Sequence, residues 1–429
     1  MNKIIFSILC FGVFFEELVC VYLPPIQSNY FHNFSDLITI VCFAAGIINA
    51  LYAKPDTWFE SIRKNWLVIL LIIVPLLALA RQWYFSGCVS IGNYWTFVRF
   101  ILIFWFVRTL KFEQAIDIFK FYLNACFAVS CVIGLLQAFM PSLFLEAFMP
   151  AYTELPVEEG MFYTGGRPGE MSGFFAHTIH YAYLMLIKLL LIRHTYPRKN
   201  YHYALALLIL FLIYNTTVVF TLALAVLITL EMVLAKIPVR KIAFITIFLV
   251  VLFAIWRLTV PTVNQTAFDD YLEQLVSIRF SLIVFLYIPL LTNPLALIGV
   301  SNCSAYLTNW ASSQFKEAPQ ALVDIFLVVY EDVFYGAFIL YFGYVSLILL
   351  MWFLYKQYAQ NIKLKISYNG MALSRFLTDL LLLFVLLNFA NQTLKVKIYS
   401  FVMWFFIALL SKFTVRKQIE KGESTCYSI

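Results

Sequence analysis

WLVILLIIVPLLALA, residues 66–80, is fifteen consecutive residues without a polar side chain, bounded by Arg63 and Lys64 before it and Arg81 after it. A helix that crosses a hydrocarbon core needs about 20 mostly apolar residues, so this run reads as a membrane span. Reading outward from it, similar runs recur between charged loops at 4–22, 37–53, 94–109, 121–140, 173–192, 202–214, 217–235, 242–260, 333–355, 376–394 and 398–412. The expectation is an all-α polytopic membrane protein of about twelve transmembrane helices, a single integral membrane domain over 1–429. The composition agrees: 63% of the 429 residues are hydrophobic and only 12% are charged, which excludes an ordinary soluble domain.

The first run, MNKIIFSILCFGVFFEELVCVYLPP, resembles a signal peptide in its short basic end and apolar centre. It carries Glu16 and Glu17 deep inside and lacks a small-x-small cleavage site, so it is expected to stay as the first span. If loops alternate between the two sides, 22 of the 30 Lys and Arg fall on the side of Lys3, Arg63, Arg108 and Lys412. Excess Lys and Arg mark cytoplasmic loops, so both termini are expected in the cytoplasm, and the net charge of +7 need not imply nucleic acid. Most of the eight Cys lie in apolar runs, where a thiol acts as a small hydrophobe. Cys88 and Cys303 fall in segments expected outside, where a disulfide between them is one option. No Cys spacing suggests a metal site, and no cofactor is expected.

Two outer segments exceed simple turns, 141–172 and 261–320, and long connections of this kind are more often functional than accidental. The tail 418–429 is polar and is expected to be flexible. The first long segment ends in TGGRPGEMSGFFAHTIHYAYLM, residues 164–185. Its glycines and Pro168 form a turn-rich approach beside Arg167 and Glu170. On a helix beginning there, Gly173, His177 and His180 share one face, directed into the bundle or a wet cavity. Either His alone is equally well read as an interfacial residue bonded to a carbonyl. In the second long segment Asp269 and Glu273 read as a solvated face, while Arg279 stands among Phe280, Ile283 and Phe285. An Arg there snorkels or meets an anion, and its forked donors match phosphate oxygens. Gly299, ahead of Val300 and Ser301, reads as a tight turn. Asp324 and Glu331 fall on one helical stripe about 10.5 Å apart along the axis, a water-boundary face or a pair able to serve as base and hydroxyl ligand. Inside the bundle Arg99 lies at the depth of Glu16 and Glu17, and the cost of an unpaired charge predicts a structural pair between Arg99 and one of them.

Three blocks in order resemble the O-antigen polymerase and O-antigen ligase superfamily: RPGEMSGFFAHTIHYAYL, SIRFSLIVFLYIPLLTNPLALIGVS and VDIFLVVYEDVFYGAF. Gly173, His177 and Ala182 are in register with the first family motif, Arg279 with the second, Glu331 and Gly336 with the third. Three departures stand out. Thr178-Ile179 replaces the family's Pro-Asn, NTTVVF lacks the Arg of the turn between the seventh and eighth spans, and Leu322 stands near the ligase's His. The last favours a polymerase. The resemblance implies a glycosyltransferase of the bacterial inner membrane that joins undecaprenyl-pyrophosphate-linked oligosaccharide units on the periplasmic face. It further implies Arg167 and Arg279, with Glu170 and Asp324, as ligands of pyrophosphate and glycan, and His177, His180 or Glu331 as the proton carrier. A chain-length regulator and a flippase are the partners it implies. The alternatives are an O-antigen ligase acting on lipid A-core or protein, and a lipid-linked oligosaccharide flippase, which would need a charged cavity open to both faces.

Overall fold

The computed structural model describes residues 2–21, 33–52, 63, 65–139, 173–175, 178–195, 294–301, 303, 334–364, 366–388, 394–413 and 427–428. The spans expected at 202–214, 217–235 and 242–260 lie outside the described residues, as does nearly all of both long segments. The described chain is mostly helical: α1 (Asn2–Val21), α2 (Phe34–Tyr52), α3 (Trp66–Ser86), α4 (Ile91–Val98), α5 (Ile103–Thr109), α6 (Phe112–Phe139), α7 (Thr178–Thr195), α8 (Phe334–Lys363), α9 (Leu373–Leu387) and α10 (Lys397–Leu410). Three stretches, Trp66–Ser86, Phe112–Leu136 and Phe334–Lys363, are long and apolar enough to cross a membrane.

The aromatic residues of α3 and α8 mark where such a membrane would end. Trp83, Tyr84 and Phe85 are exposed at one end of α3, while Trp66 at its other end packs edge-on against exposed Trp352 of α8, 5.9 Å between rings. Trp66 and Trp83 are separated by on the order of 25 Å along the helix, close to the hydrocarbon thickness, and Trp and Tyr favour the two interfaces. Between them the outward faces carry large apolar side chains such as Leu76, Leu77 and Ile348.

At the centre stands α10, in which every residue from Ile398 to Leu410 is buried. A helix apolar all round belongs inside. In lipid there is little hydrophobic gain from bringing apolar helices together, so close packing and ring contacts must hold the bundle. Phe401 and Phe405 of α10 meet Phe6 of α1, Phe405 and Phe406 meet Phe119 of α6, and Phe353 of α8 stacks on Trp404.

Four expectations are revised. The span at 94–109 is two short helices, with Arg99 in the turns between them, closed by Ile101 N–H to Val98 O (2.9 Å) and Phe104 N–H to Ile101 O (3.1 Å). The last span ends at Leu410 rather than 412, so Lys412 lies beyond it. The sixth begins at Thr178, so Gly173 sits in a turn ahead of the helix and shares no helical face with His180. Two residues of the tail expected to be flexible, Tyr427 and Ser428, form β3, which pairs in parallel with β1 (Ile366–Tyr368) beside the antiparallel β2 (Met371–Ala372).

α8 is broken at Gly343, whose φ of 80° and ψ of 170° are not helical. Backbone carbonyls freed by such a break need other donors, at several kcal/mol each in a membrane. A short segment supplies them. After a single 3-10 turn at Pro294–Leu297, Val300 N–H and Ser301 N–H both reach Leu340 O (2.8 and 3.1 Å), and the Gln82 side chain of α3 donates to Tyr341 O (2.6 Å). Gly299 takes a φ of 92° in this turn and its carbonyl accepts from Arg81 (2.8 Å). A Cβ on Gly343 would stand 2.5 Å from Gly299 N, which explains glycine at both positions. The segment is fastened to the end of α3 by a disulfide between Cys88 and Cys303, the option left open by the sequence.

Candidate functional site

Among the described residues, Glu16, Glu17, Asp36, Arg99, His180 and Lys397 collect at one end of the bundle, where α1 ends, α2, α7 and α10 begin, and α4 passes into α5. Glu16 is 2% exposed and is held twice. Its Oε2 accepts the Ser35 backbone N–H at 2.9 Å, and its Oε1 meets Lys397 Nζ in an ion pair. The first contact uses the unsatisfied N–H groups of the first turn of α2, where a carboxylate is favoured by the helix dipole. Lys397 opens α10, so this pair ties the first helix to the central one.

Arg99 is 4% exposed, and its carboxylate partner is Asp36 of α2, 3.4 Å away, with the Lys395 carbonyl at 3.4 Å and the Phe100 ring beneath the guanidinium. The expected partner, Glu16 or Glu17, is therefore corrected. Glu16 acts on Arg99 only at longer range, because its oxygens are engaged by Ser35 and Lys397. Glu17 binds His180: Nδ1 of the imidazole stands 2.8 Å from Glu17 Oε1, and both side chains are mostly buried. A buried charge that lost its partner would cost several kcal/mol, so these pairs hold α1, α2, α7 and α10 in one arrangement at this end.

A carboxylate held against Nδ1 fixes the orientation of the imidazole, as a proton-carrying ring needs. Nearby, a groove between α4, α8 and the corner at 394–395 is lined by Asn93, Thr96, Phe97, Phe338, Tyr341 and Lys395. Amide, hydroxyl and ammonium groups set among aromatic faces can bind a polar ring with one apolar side.

Of the site residues expected from sequence, His180, Glu16, Glu17 and Arg99 come together here, within one cluster. His177, Glu331, Arg167, Arg279, Glu170 and Asp324 lie outside the described residues. Residue-by-residue reading missed Asp36, Lys397 and the Gly299–Gly343 approach. The signals for the first two were an acid just ahead of the second span and a Lys opening the last; for the third, a lone glycine within the apolar run LYFGYVSL. No protein-family model, no curated protein and no solved structure matches this chain.

Proposed function

We propose that this chain is a glycosyltransferase that polymerises surface polysaccharide, joining oligosaccharide units carried on undecaprenyl pyrophosphate at the periplasmic face of a bacterial inner membrane. The observation that carries the reading is the His180–Glu17 pair, 2.8 Å apart at the end of the bundle where α7 begins. Two further features support it. The groove lined by Asn93, Thr96, Phe97 and Tyr341 suits a sugar ring, and a Cys88–Cys303 disulfide at this end fits an oxidising compartment. The charge asymmetry assigns the same end outward.

In this reading an acceptor hydroxyl gives its proton to the imidazole of His180 while its oxygen forms a bond to the anomeric carbon of the donor. The bond from that carbon to the pyrophosphate oxygen breaks, and the leaving pyrophosphate keeps the electron pair. Glu17 holds the ring in place through its contact with Nδ1. Arg167 and Arg279 are assigned the pyrophosphate, whose growing negative charge guanidinium groups neutralise. Glu170 and Asp324 are assigned glycan hydroxyls, and His177 and Glu331 are the other candidates for proton transfer. Arg99 is locked against Asp36 and is structural.

The test is the surface-polysaccharide ladder of a deletion strain, empty or complemented. Single-unit glycans in the deletion, restored to a ladder by the wild-type gene but not by Arg279→Ala, support the reading. A normal ladder in the deletion, or from Arg279→Ala, sinks the polymerase and the phosphate role respectively. Long glycan that remains unattached in the deletion would point to the ligase instead.

A further inference from the structure

At the opposite end of the bundle two cations meet with no acid beside them among the described residues. Arg108 stands in the last turn of α5 and Lys412 two residues past α10, on helices that pack against each other. Lys412 Nζ donates to the Leu110 carbonyl, and the Arg108 guanidinium lies over the Phe104 ring, 5.6 Å from its centroid. Arg108 Nη1 is buried and has no hydrogen-bond partner. Neither cation forms an ion pair with any of the described residues. The acids next along the chain, Glu113 and Asp117 of α6, are exposed, and Asp117 accepts from the Tyr368 hydroxyl at 3.1 Å.

The carbonyls at the end of a helix favour a cation, which accounts for the Lys412–Leu110 contact. They do not account for Arg108, whose buried Nη1 donor is left unsatisfied. Burial first, and the nearby Arg108 charge second, push the Lys412 ammonium down to about 8, still protonated at neutral pH and without an acid partner among the described residues. Both groups sit where two apolar helices end, the depth at which a phospholipid presents its phosphate.

We propose that Arg108 and Lys412 form a binding site for a phosphate group, contributed by an anionic phospholipid headgroup or by free phosphate. The guanidinium supplies the forked donors and the ammonium a second charge. This proposal does not depend on the polysaccharide reading.

The test uses the purified full-length protein in phosphatidylcholine nanodiscs. Its thermal unfolding midpoint is followed as phosphatidylglycerol replaces part of the lipid, and separately as inorganic phosphate is added. A midpoint that rises with phosphatidylglycerol in the wild type, and not in Arg108→Gln/Lys412→Gln, supports a headgroup site. A rise with inorganic phosphate alone, again lost in the double variant, assigns the site to the free anion. No rise with either, or equal rises in wild type and variant, overturns the proposal. Should the double variant not fold, Lys412→Gln alone serves. Its affinity for phosphatidylglycerol, read by native mass spectrometry, should fall about tenfold, the loss of one charge-assisted hydrogen bond. Undiminished retention overturns the proposal.

Discussion

The two ends of the bundle handle charge in opposite ways. At one end three carboxylates, Glu16, Glu17 and Asp36, meet Lys397, His180 and Arg99, each acid with its own partner and each pair linking different helices. At the other end, among the described residues, cations outnumber acids: Asp379 of α9 serves both Arg193 and His194 of α7, at 3.0 and 2.7 Å, while Arg108 and Lys412 share none. Matched buried charges resist separation and so fix geometry. Surplus cations at the edge of an apolar bundle leave attraction to spare for an anion from outside the chain.

The largest expected effect tests the matched end. Glu16→Leu leaves Lys397 without its carboxylate and the first turn of α2 without an acceptor, and unfolding in detergent should show a loss of about 3–5 kcal/mol. The pair Glu16→Leu/Lys397→Leu removes both charges and should recover most of that loss. If the double variant is no more stable than the single, the ion pair is not what holds α1 to α10. Next is Gly343→Ala. It imposes a side chain where φ is 80° and where a Cβ would stand 2.5 Å from Gly299 N. Strain of that kind costs about 1–3 kcal/mol before any displacement of the 294–301 segment. An unchanged unfolding midpoint would mean that the break in α8 is not held by this contact. The smallest effect belongs to the cation-rich end. Tyr368→Phe removes one hydrogen bond to Asp117, worth about 0.5–1.5 kcal/mol, and a larger loss would reveal an acid more tightly integrated there than described.

Much of the helical layout was legible because apolar run length is a direct consequence of bilayer thickness. Runs at 4–22, 37–53 and 333–355 correspond to α1, α2 and α8 to within a few residues at most ends. Ends were less legible where polar side chains continue a helix past the apolar run, as in Phe112–Lys120 ahead of α6's apolar stretch and Tyr355–Lys363 at the end of α8. The need of Arg99 for a carboxylate was readable from its depth, but the choice of Asp36 was not. Depth ranks candidates along the membrane normal, whereas pairing depends on which helices are neighbours, and α2 packs against α5 just below Arg99. The break in α8 was hidden for a similar reason: Gly343 in an apolar run signals freedom, and the approach of Gly299 and Leu297 uses it, while Gln82 takes up the freed Tyr341 carbonyl. At the candidate site His180 was singled out by residue type and position, and its partnership with Glu17 required the contact between α1 and the start of α7.

The most direct measurement compares the ends in one assay, the polysaccharide ladder of a deletion strain carrying His180→Ala or Tyr368→Phe at matched protein levels in the membrane. The account predicts single-unit glycan from His180→Ala and a full ladder from Tyr368→Phe. A full ladder from His180→Ala would contradict it.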